Sequence, residues 1–200
     1  MTSHYFSEEP GTAMVRRSIR AAIWGRDLTL TTANGVFAGD GVDRGTAVLL
    51  RKSAPPVGRP RVLDLGCGYG TIALAIALAC PGAVVHAVDV NDRALGLCRD
   101  NAVALDVADR VLARRPDEVD PGARYDQIWS NPPIRVGKDA LHALLLHWLP
   151  RLAPDGLARL VVGKNFGADT LQRWLIEQGY RCTRTATAKG FRVLEVRPAP

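Results

Sequence analysis

Arg61-Val62-Leu63-Asp64-Leu65-Gly66-Cys67-Gly68-Tyr69-Gly70-Thr71-Ile72-Ala73 is the stretch that decides the fold. A short apolar strand from Arg61 to Leu65 runs into three alternate glycines and then into a helix over Thr71 to Ala79, the strand–turn–helix unit that opens a nucleotide-binding α/β sheet. Glycine has no Cβ and tolerates positive φ, so a ligand can approach the backbone of such a loop closely. The spacing is Gly-x-Gly-x-Gly, whereas a dinucleotide fingerprint wants Gly-x-Gly-x-x-Gly. There is correspondingly less reason to expect a pyrophosphate over the helix N-terminus, and nicotinamide cofactors are disfavoured.

Downstream, strand and helix patterns alternate. Val84 to Val88 reads as extended, Asp92 to Leu105 as helical, and further strands are expected near Val111 and at Tyr125 to Trp129. Leu141 to Leu152 and Asp169 to Gln178 read as amphipathic helices around an apolar strand from Leu157 to Val162. Tyr180 to Thr187 and Phe191 to Val196 read as an antiparallel hairpin closing the sheet. Alternation of this kind predicts a mostly parallel sheet with right-handed crossovers and helices on both faces.

Upstream, Ala13 to Trp24 is predicted as a short helix, and Asn34-Gly35 as the tight turn of a hairpin between Leu28–Thr32 and Val36-Phe37. Val42 to Ser53 has helical spacing of apolar residues, ended by Ala54-Pro55-Pro56-Val57-Gly58. The expected organisation is one domain over residues 1–200, with a lid and lead-in helix over 1–58 and a Rossmann-like core over 59–200.

At 47% hydrophobic and 23% charged, the 200 residues describe a globular chain able to bury a sizeable core. No apolar run approaches the roughly 20 residues of a membrane span, and the polar start lacks a signal-peptide layout. A cytoplasmic location without a membrane partner is expected. Cys67, Cys80, Cys98 and Cys182 are widely spaced, which indicates neither a zinc site nor a disulfide framework and predicts reduced, mostly buried thiols. A net charge of +6 and a pI near 9.5 permit an anionic partner such as RNA, and equally describe a solvated surface in an Arg-rich chain. Nothing in the sequence specifies an oligomeric state.

Chemistry concentrates at the strand ends. Asp64 and the loop Gly66, Cys67, Gly68 and Gly70 form a candidate cofactor site. Asp89, followed by Val90 one βα unit later, stands where an acidic residue accepts both hydroxyls of an adenosine ribose. An isolated carboxylate there would ordinarily be a cap or a solvated loop residue, and Asn91 or Asp92 can cap the next helix. Asp117, in the loop after the third core strand, is a candidate for the adenine amino group, although acidic loop residues usually face water.

Asn131-Pro132-Pro133-Ile134 follows the strand Tyr125 to Trp129, at the sheet edge where open α/β folds bind ligands. An exocyclic amine is a poor nucleophile because its lone pair is delocalised. The side-chain carbonyl of Asn131 and the main-chain carbonyl of Pro132 can accept its two N–H groups and aim the lone pair at a methyl donor. Such a displacement needs chiefly orientation and electrostatics, so neither a Ser/His/Asp set nor a metal is required. Asn-Pro-Pro elsewhere is more often a simple turn. Here Asn131 is expected to face both the amine and the methyl-bearing end of the cofactor.

These motifs together resemble the class I S-adenosylmethionine methyltransferases, and within them the small-domain family of ribosomal RNA guanine-N2 methyltransferases typified by RsmC. The likeness runs over nearly the whole chain: His4-Tyr5-Phe6-Ser7, Gly35-Val36-Phe37-Ala38 (often Ser in the last place), Val42-Asp43-Arg44-Gly45-Thr46, Asp64 to Gly70, Val88 to Asn91, Ser130 to Lys138, and Lys189-Gly190-Phe191-Arg192-Val193. It implies a seven-stranded sheet with its last strand antiparallel, S-adenosylmethionine as cofactor, and Phe37, Asp43 and Thr46 near that cofactor. It implies guanine N2 in small-subunit (16S) ribosomal RNA as the acceptor, with ribosomal RNA or the small subunit as partner and Arg135 and Lys138 placed for phosphates or the base. Ile134 departs from related amine methyltransferases, which often carry a base-stacking aromatic there, and implies an aliphatic wall. Two-domain members add a degenerate N-terminal domain, whereas this chain reads as single-domain. Methylation of a protein glutamine or a small-molecule amine, or a non-catalytic cofactor- and RNA-binding module, are the competing readings.

Overall fold

The computed structural model describes residues 13–36, 41–133 and 136–199. Phe37, Ala38, Ile134, Arg135 and the His4-Tyr5-Phe6-Ser7 motif lie outside the described residues.

The core is a seven-stranded sheet in the order β5-β4-β3-β6-β7-β9-β8. Its strands are β3 (Arg61–Leu65), β4 (Val84–Val88), β5 (Val111–Arg114), β6 (Tyr125–Ser130), β7 (Leu152–Gly163), β8 (Arg181–Ala188) and β9 (Phe191–Arg197). β9 is antiparallel to both its neighbours, while β3 to β7 pair in parallel. Strand order reverses between β3 and β6, and that switch point opens a crevice at the strands' C-terminal ends.

One face of the sheet is covered by α1 (Arg44–Lys52), α2 (Thr71–Ala79) and α3 (Asp92–Ala104), the other by α4 (Lys138–Trp148) and α5 (Ala168–Glu177). Helix α2 carries apolar side chains all round and is buried from Thr71 to Ala77, the pattern of a helix sealed by neighbours on every side. No side chain caps its N-terminus. Instead the Asp64 carboxylate, completely buried, accepts the Ala73 N–H at 2.9 Å.

The N-terminal segment departs from expectation. Residues predicted as a helix form β1 (Arg16–Ile23), paired with β2 (Arg26–Ala33) as a hairpin whose two-residue turn is Trp24-Gly25, not Asn34-Gly35. Arg and Ala in this stretch suit a helix, but Ile19, Ala21 and Ile23 alternate with period two, and pairing with Leu30 and Leu28 overrides local propensity. Both turn residues have positive φ, 50° for Trp24 and 76° for Gly25, as a twist-matched two-residue hairpin turn requires. An αL tryptophan is unfavourable in isolation. Here its indole N–H reaches the Leu50 and Ser53 carbonyls at 2.8 and 2.9 Å, satisfying groups at the C-terminus of α1, and its ring meets Trp129 edge-on at 6.0 Å.

Asn34 closes the open end of the hairpin, accepting from Val15 N at 2.7 Å and donating to Ala13 O at 3.0 Å. Asn101 of α3, buried, bolts β2 to the core: its amide pairs with both main-chain groups of Thr31 and also donates to Tyr69 O in the glycine loop at 3.0 Å. The predicted helix over Leu141 to Leu152 also ends early. Pro150 cannot continue it, so α4 gives way to a 3₁₀ turn at Leu149–Arg151 and Leu152 already begins β7.

Candidate functional site

A cleft of about 980 Å³ occupies the switch point, within the size range of small-molecule sites. Its floor is the glycine loop, and one wall is the end of β4 with Asp89 and Val90. Its far end is Asn131 to Pro133, beside Gly163, Phe166 and Phe191.

Gly66, Gly68 and Gly70 have φ of 75°, 56° and 95°. A Cβ on Gly66 or Gly68 would meet no protein atom within 4 Å. Their bare backbone is therefore presented to the cleft, as close approach by a ligand demands. Gly70 has a packing reason as well, since a Cβ there would sit 2.7 Å from Cys98 Sγ. Cys67 lines the cleft, but burial and the neighbouring Cys98 thiol push its own thiol well above the usual range, so it is not poised as a nucleophile.

The Asp89 carboxylate ties two strand ends together, accepting Gly68 N at 2.9 Å and Asn91 N at 3.0 Å. Burial raises its pKa, and the N–H groups of Asn91, Gly68 and Val90 pull it back. Each oxygen retains lone pairs for further donors, such as vicinal hydroxyls. Asn91 caps α3 through Ala94 N and donates to Gly35 O at 3.1 Å, which joins the hairpin's exit to this wall.

The structure withholds three of the expected residues from the cleft surface. Asp64 lies beneath the loop with no exposure, and its work is to anchor α2. Burial lifts its pKa to about 7, with the Ala73 N–H opposing and the Asp89 charge adding to the rise. Asp117 is turned to solvent 3.7 Å from Arg115, because Glu118 folds back onto Arg115 N and closes the turn Pro116–Glu118; Pro116 lines the cleft in its place. Lys138 is exposed at the start of α4 and does not line the cleft.

Asn131 is held from residues far away in sequence. Its Nδ2 donates to Asp43 Oδ1 at 2.6 Å and to Thr46 Oγ1 at 3.1 Å. A carboxylate can only accept, so this contact settles which end of the amide faces Asp43 and leaves Oδ1 as the end available to accept. The same Asp43 oxygen caps α1 through Gly45 N and Thr46 N at 2.7 and 3.0 Å. Gly45 makes this convergence possible: a Cβ there would lie 3.0 Å from Asp43 Oδ1, 3.1 Å from Phe191 Cε1 and 3.2 Å from Asn131 Oδ1. The lead-in helix α1 is thus also the template for the Asn131 amide.

Residues 27–195 match the family model described as methyltransferase small domain. The chain belongs to that family. As a member of the methyltransferase small domain family it is an S-adenosylmethionine-dependent methyltransferase. A Bacillus subtilis relative, the uncharacterized protein YbxB, is 29% identical over 98% of this chain and 99% of its own length. RsmC, the ribosomal RNA small subunit methyltransferase C, is similar on two counts. The Citrobacter koseri protein is 34% identical over 69% of this chain and 42% of its own. The solved T. thermophilus 16S rRNA N2 G1207 methyltransferase, in complex with AdoMet and guanosine, superposes with a TM-score of 0.80 at 26% identity, over 95% of this chain and 52% of that one. The release factor glutamine methyltransferase of Bordetella pertussis is 46% identical over 50% of this chain and 40% of its own. The chain therefore spans YbxB almost entirely and about half or less of the other relatives.

Asp43 is expected to matter twice in this methyltransferase. Asp43→Ala should lower the melting temperature by roughly 2–6 °C through the lost cap. It should also cut kcat about tenfold by freeing the Asn131 amide to rotate, a misplacement of the kind that costs orientation. Asp43→Asn, which still caps, should fall between. A melting shift with kcat unchanged would reduce Asp43 to a helix cap.

Proposed function

We propose that this protein transfers a methyl group to the exocyclic N2 of a guanine in small-subunit ribosomal RNA, acting in the cytoplasm. The observation that carries the reading is the clamped Asn131 amide at the end of the cleft. With Nδ2 engaged by Asp43 and Thr46, Asn131 Oδ1 is left to accept; with the main-chain carbonyl of the adjoining Pro132 it makes two acceptors for the two N–H groups of a planar amine. Similarity to RsmC supports guanine N2 as the acceptor and 16S RNA as its carrier.

In this reading the glycine loop and Asp89 hold the cofactor, with Asp89 accepting the ribose hydroxyls and Val90 and Pro116 flanking the adenine. When bound, the cofactor supplies an electrophilic sulfonium methyl group. The protein's part is to bind the amine, orient its lone pair and exclude competing water. Asn131 Oδ1 and Pro132 O take the amine's N–H groups, the N–CH₃ bond forms as the S–CH₃ bond breaks, and one amine proton leaves to solvent. Preorganised acceptors cost no reorganisation during the step. Ile134, Arg135 and Lys138 remain candidates for walling the base or meeting phosphates, and Phe37 for the cofactor.

A protein glutamine amide is the second reading, because it offers the same planar NH₂ and because the release factor glutamine methyltransferase is a relative. One experiment separates the two. Small-subunit RNA and subunits from a strain lacking this protein are incubated with methyl-labelled cofactor and digested for mass analysis. N2-methylguanosine formed by wild type but not by Asn131→Ala is the expected result. Label found only in protein, as N5-methylglutamine, would overturn the RNA reading in favour of the second.

A further inference from the structure

We infer that Phe166 is the stacking platform for the acceptor ring, supplying from the turn after β7 the aromatic face that Ile134 does not supply after Asn131-Pro132-Pro133. The inference rests on the proposed transfer to a ring-borne amine and names the residue that recognises the ring.

Phe166 is 57% exposed and is the only exposed phenylalanine, tyrosine or tryptophan among the described residues. It lines the same cleft as Asn131, Pro132 and Pro133. Its other side is supported: a Cβ on Gly163 would lie 2.5 Å from Phe166 Cδ2, so the ring rests directly on glycine backbone with no side chain between them. Gly163 pairs in register with Phe191, whose edge is the neighbour of Asn131 across Gly45. Lys164 N donates to Gly190 O at 2.8 Å and pins the turn to the hairpin of β8 and β9.

Phe191 is half-buried against the core and is spoken for as a wall of the cleft. Among the described residues, Phe166 is the exposed aromatic side chain that lines the cleft together with Asn131 and Pro132. A planar heterocycle whose amino group reaches Asn131 Oδ1 would lay its π-face on this ring. Stacking of this kind is tolerant of base identity and is worth about 1–3 kcal/mol per base, roughly a 5- to 150-fold effect on affinity. The acidic side chains absent from the turn itself, Lys164-Asn165-Phe166-Gly167, leave it compatible with an approaching phosphodiester.

The test uses protein labelled with para-fluorophenylalanine, whose four phenylalanine positions include Phe166; the resonance missing from Phe166→Leu assigns it. In the presence of S-adenosylhomocysteine, guanosine should shift that resonance saturably, and N-acetylglutamine amide should not. In steady-state assays Phe166→Leu should raise KM for RNA about tenfold, with a smaller change in kcat and unchanged cofactor affinity. Phe166→Tyr should behave as wild type. A resonance unmoved by guanosine, or a Leu variant with wild-type KM while wild type methylates RNA, overturns the platform and leaves the proposed reaction standing. A shifted resonance in a protein that methylates no RNA supports the platform and overturns the RNA acceptor.

Discussion

Replacing Asn131 with Ala is expected to lower kcat by about 100-fold or more, the scale reported by losing one preorganised polar contact to a reacting group, while cofactor affinity stays within a few-fold of wild type. The side chain has one end on Asp43 and Thr46 and the other free for the amine, so alanine removes the acceptor without touching the glycine loop. Aspartate is no remedy. It restores the shape but places a second carboxylate at the 2.6 Å contact with Asp43 Oδ1, where like charges repel and one must take up a proton. Single-turnover rates with pre-bound cofactor, set beside calorimetric titration of the cofactor, measure the two effects separately. Transfer at wild-type rate in Asn131→Ala would remove the amide from the mechanism.

Asp89→Ala should produce the opposite split, weakening cofactor binding by about 100-fold with little effect on the rate at saturation. Hydrogen bonds to a charged group are worth about 1.5–3 kcal/mol each, and alanine both deletes the hydroxyl acceptors and orphans the Gly68 and Asn91 N–H groups. A pH dependence follows from its raised pKa. The ionised form accepts hydrogen bonds at every lone pair, so cofactor affinity should be full above that pKa and fall as pH drops through it. Calorimetry across the acid limb tests this, and equal affinities for wild type and Asp89→Ala would sink the ribose assignment.

The parts of the site legible in the sequence are those carried by local grammar. The loop Gly66-x-Gly68-x-Gly70 between an apolar strand and an apolar helix, the carboxylate closing the next strand, and Asn131-Pro132 closing β6 each announce themselves within a dozen residues. Asp64 and Asp117 show the limit of that grammar. Both sit where an acidic residue belongs, yet one is consumed by the N-terminus of α2 and the other is swung outward by a turn that Glu118 closes. Spacing gives the side chain's address along the chain but not the direction it faces.

Asn101 and the Trp24-Gly25 turn were illegible for a related reason. Asn101 reads as one more polar residue on a helix, and its value lies in partners 70 and 32 positions away. Trp24 adopts αL geometry only because the end of α1 and the face of Trp129 are waiting for its indole. Helix propensity in Arg16 to Ile23 was outweighed by in-register pairing with β2 along the whole strand, an interaction that no local window contains.

By itself, the sequence determined the α/β class, the order of strands and helices from Arg61 onward, and the places of the glycine loop and of Asn131-Pro132 at strand ends, because hydrophobic period, glycine and proline act through the nearest few residues. Only the tertiary structure decided the orientation of the Asn131 amide, the hairpin's anchorage on the glycine loop and the exposure of Phe166 at the acceptor end. Each depends on a contact between residues tens of positions apart, Asp43 with Asn131 at a separation of 88, and such contacts exist only once the sheet has brought the strand ends to one edge.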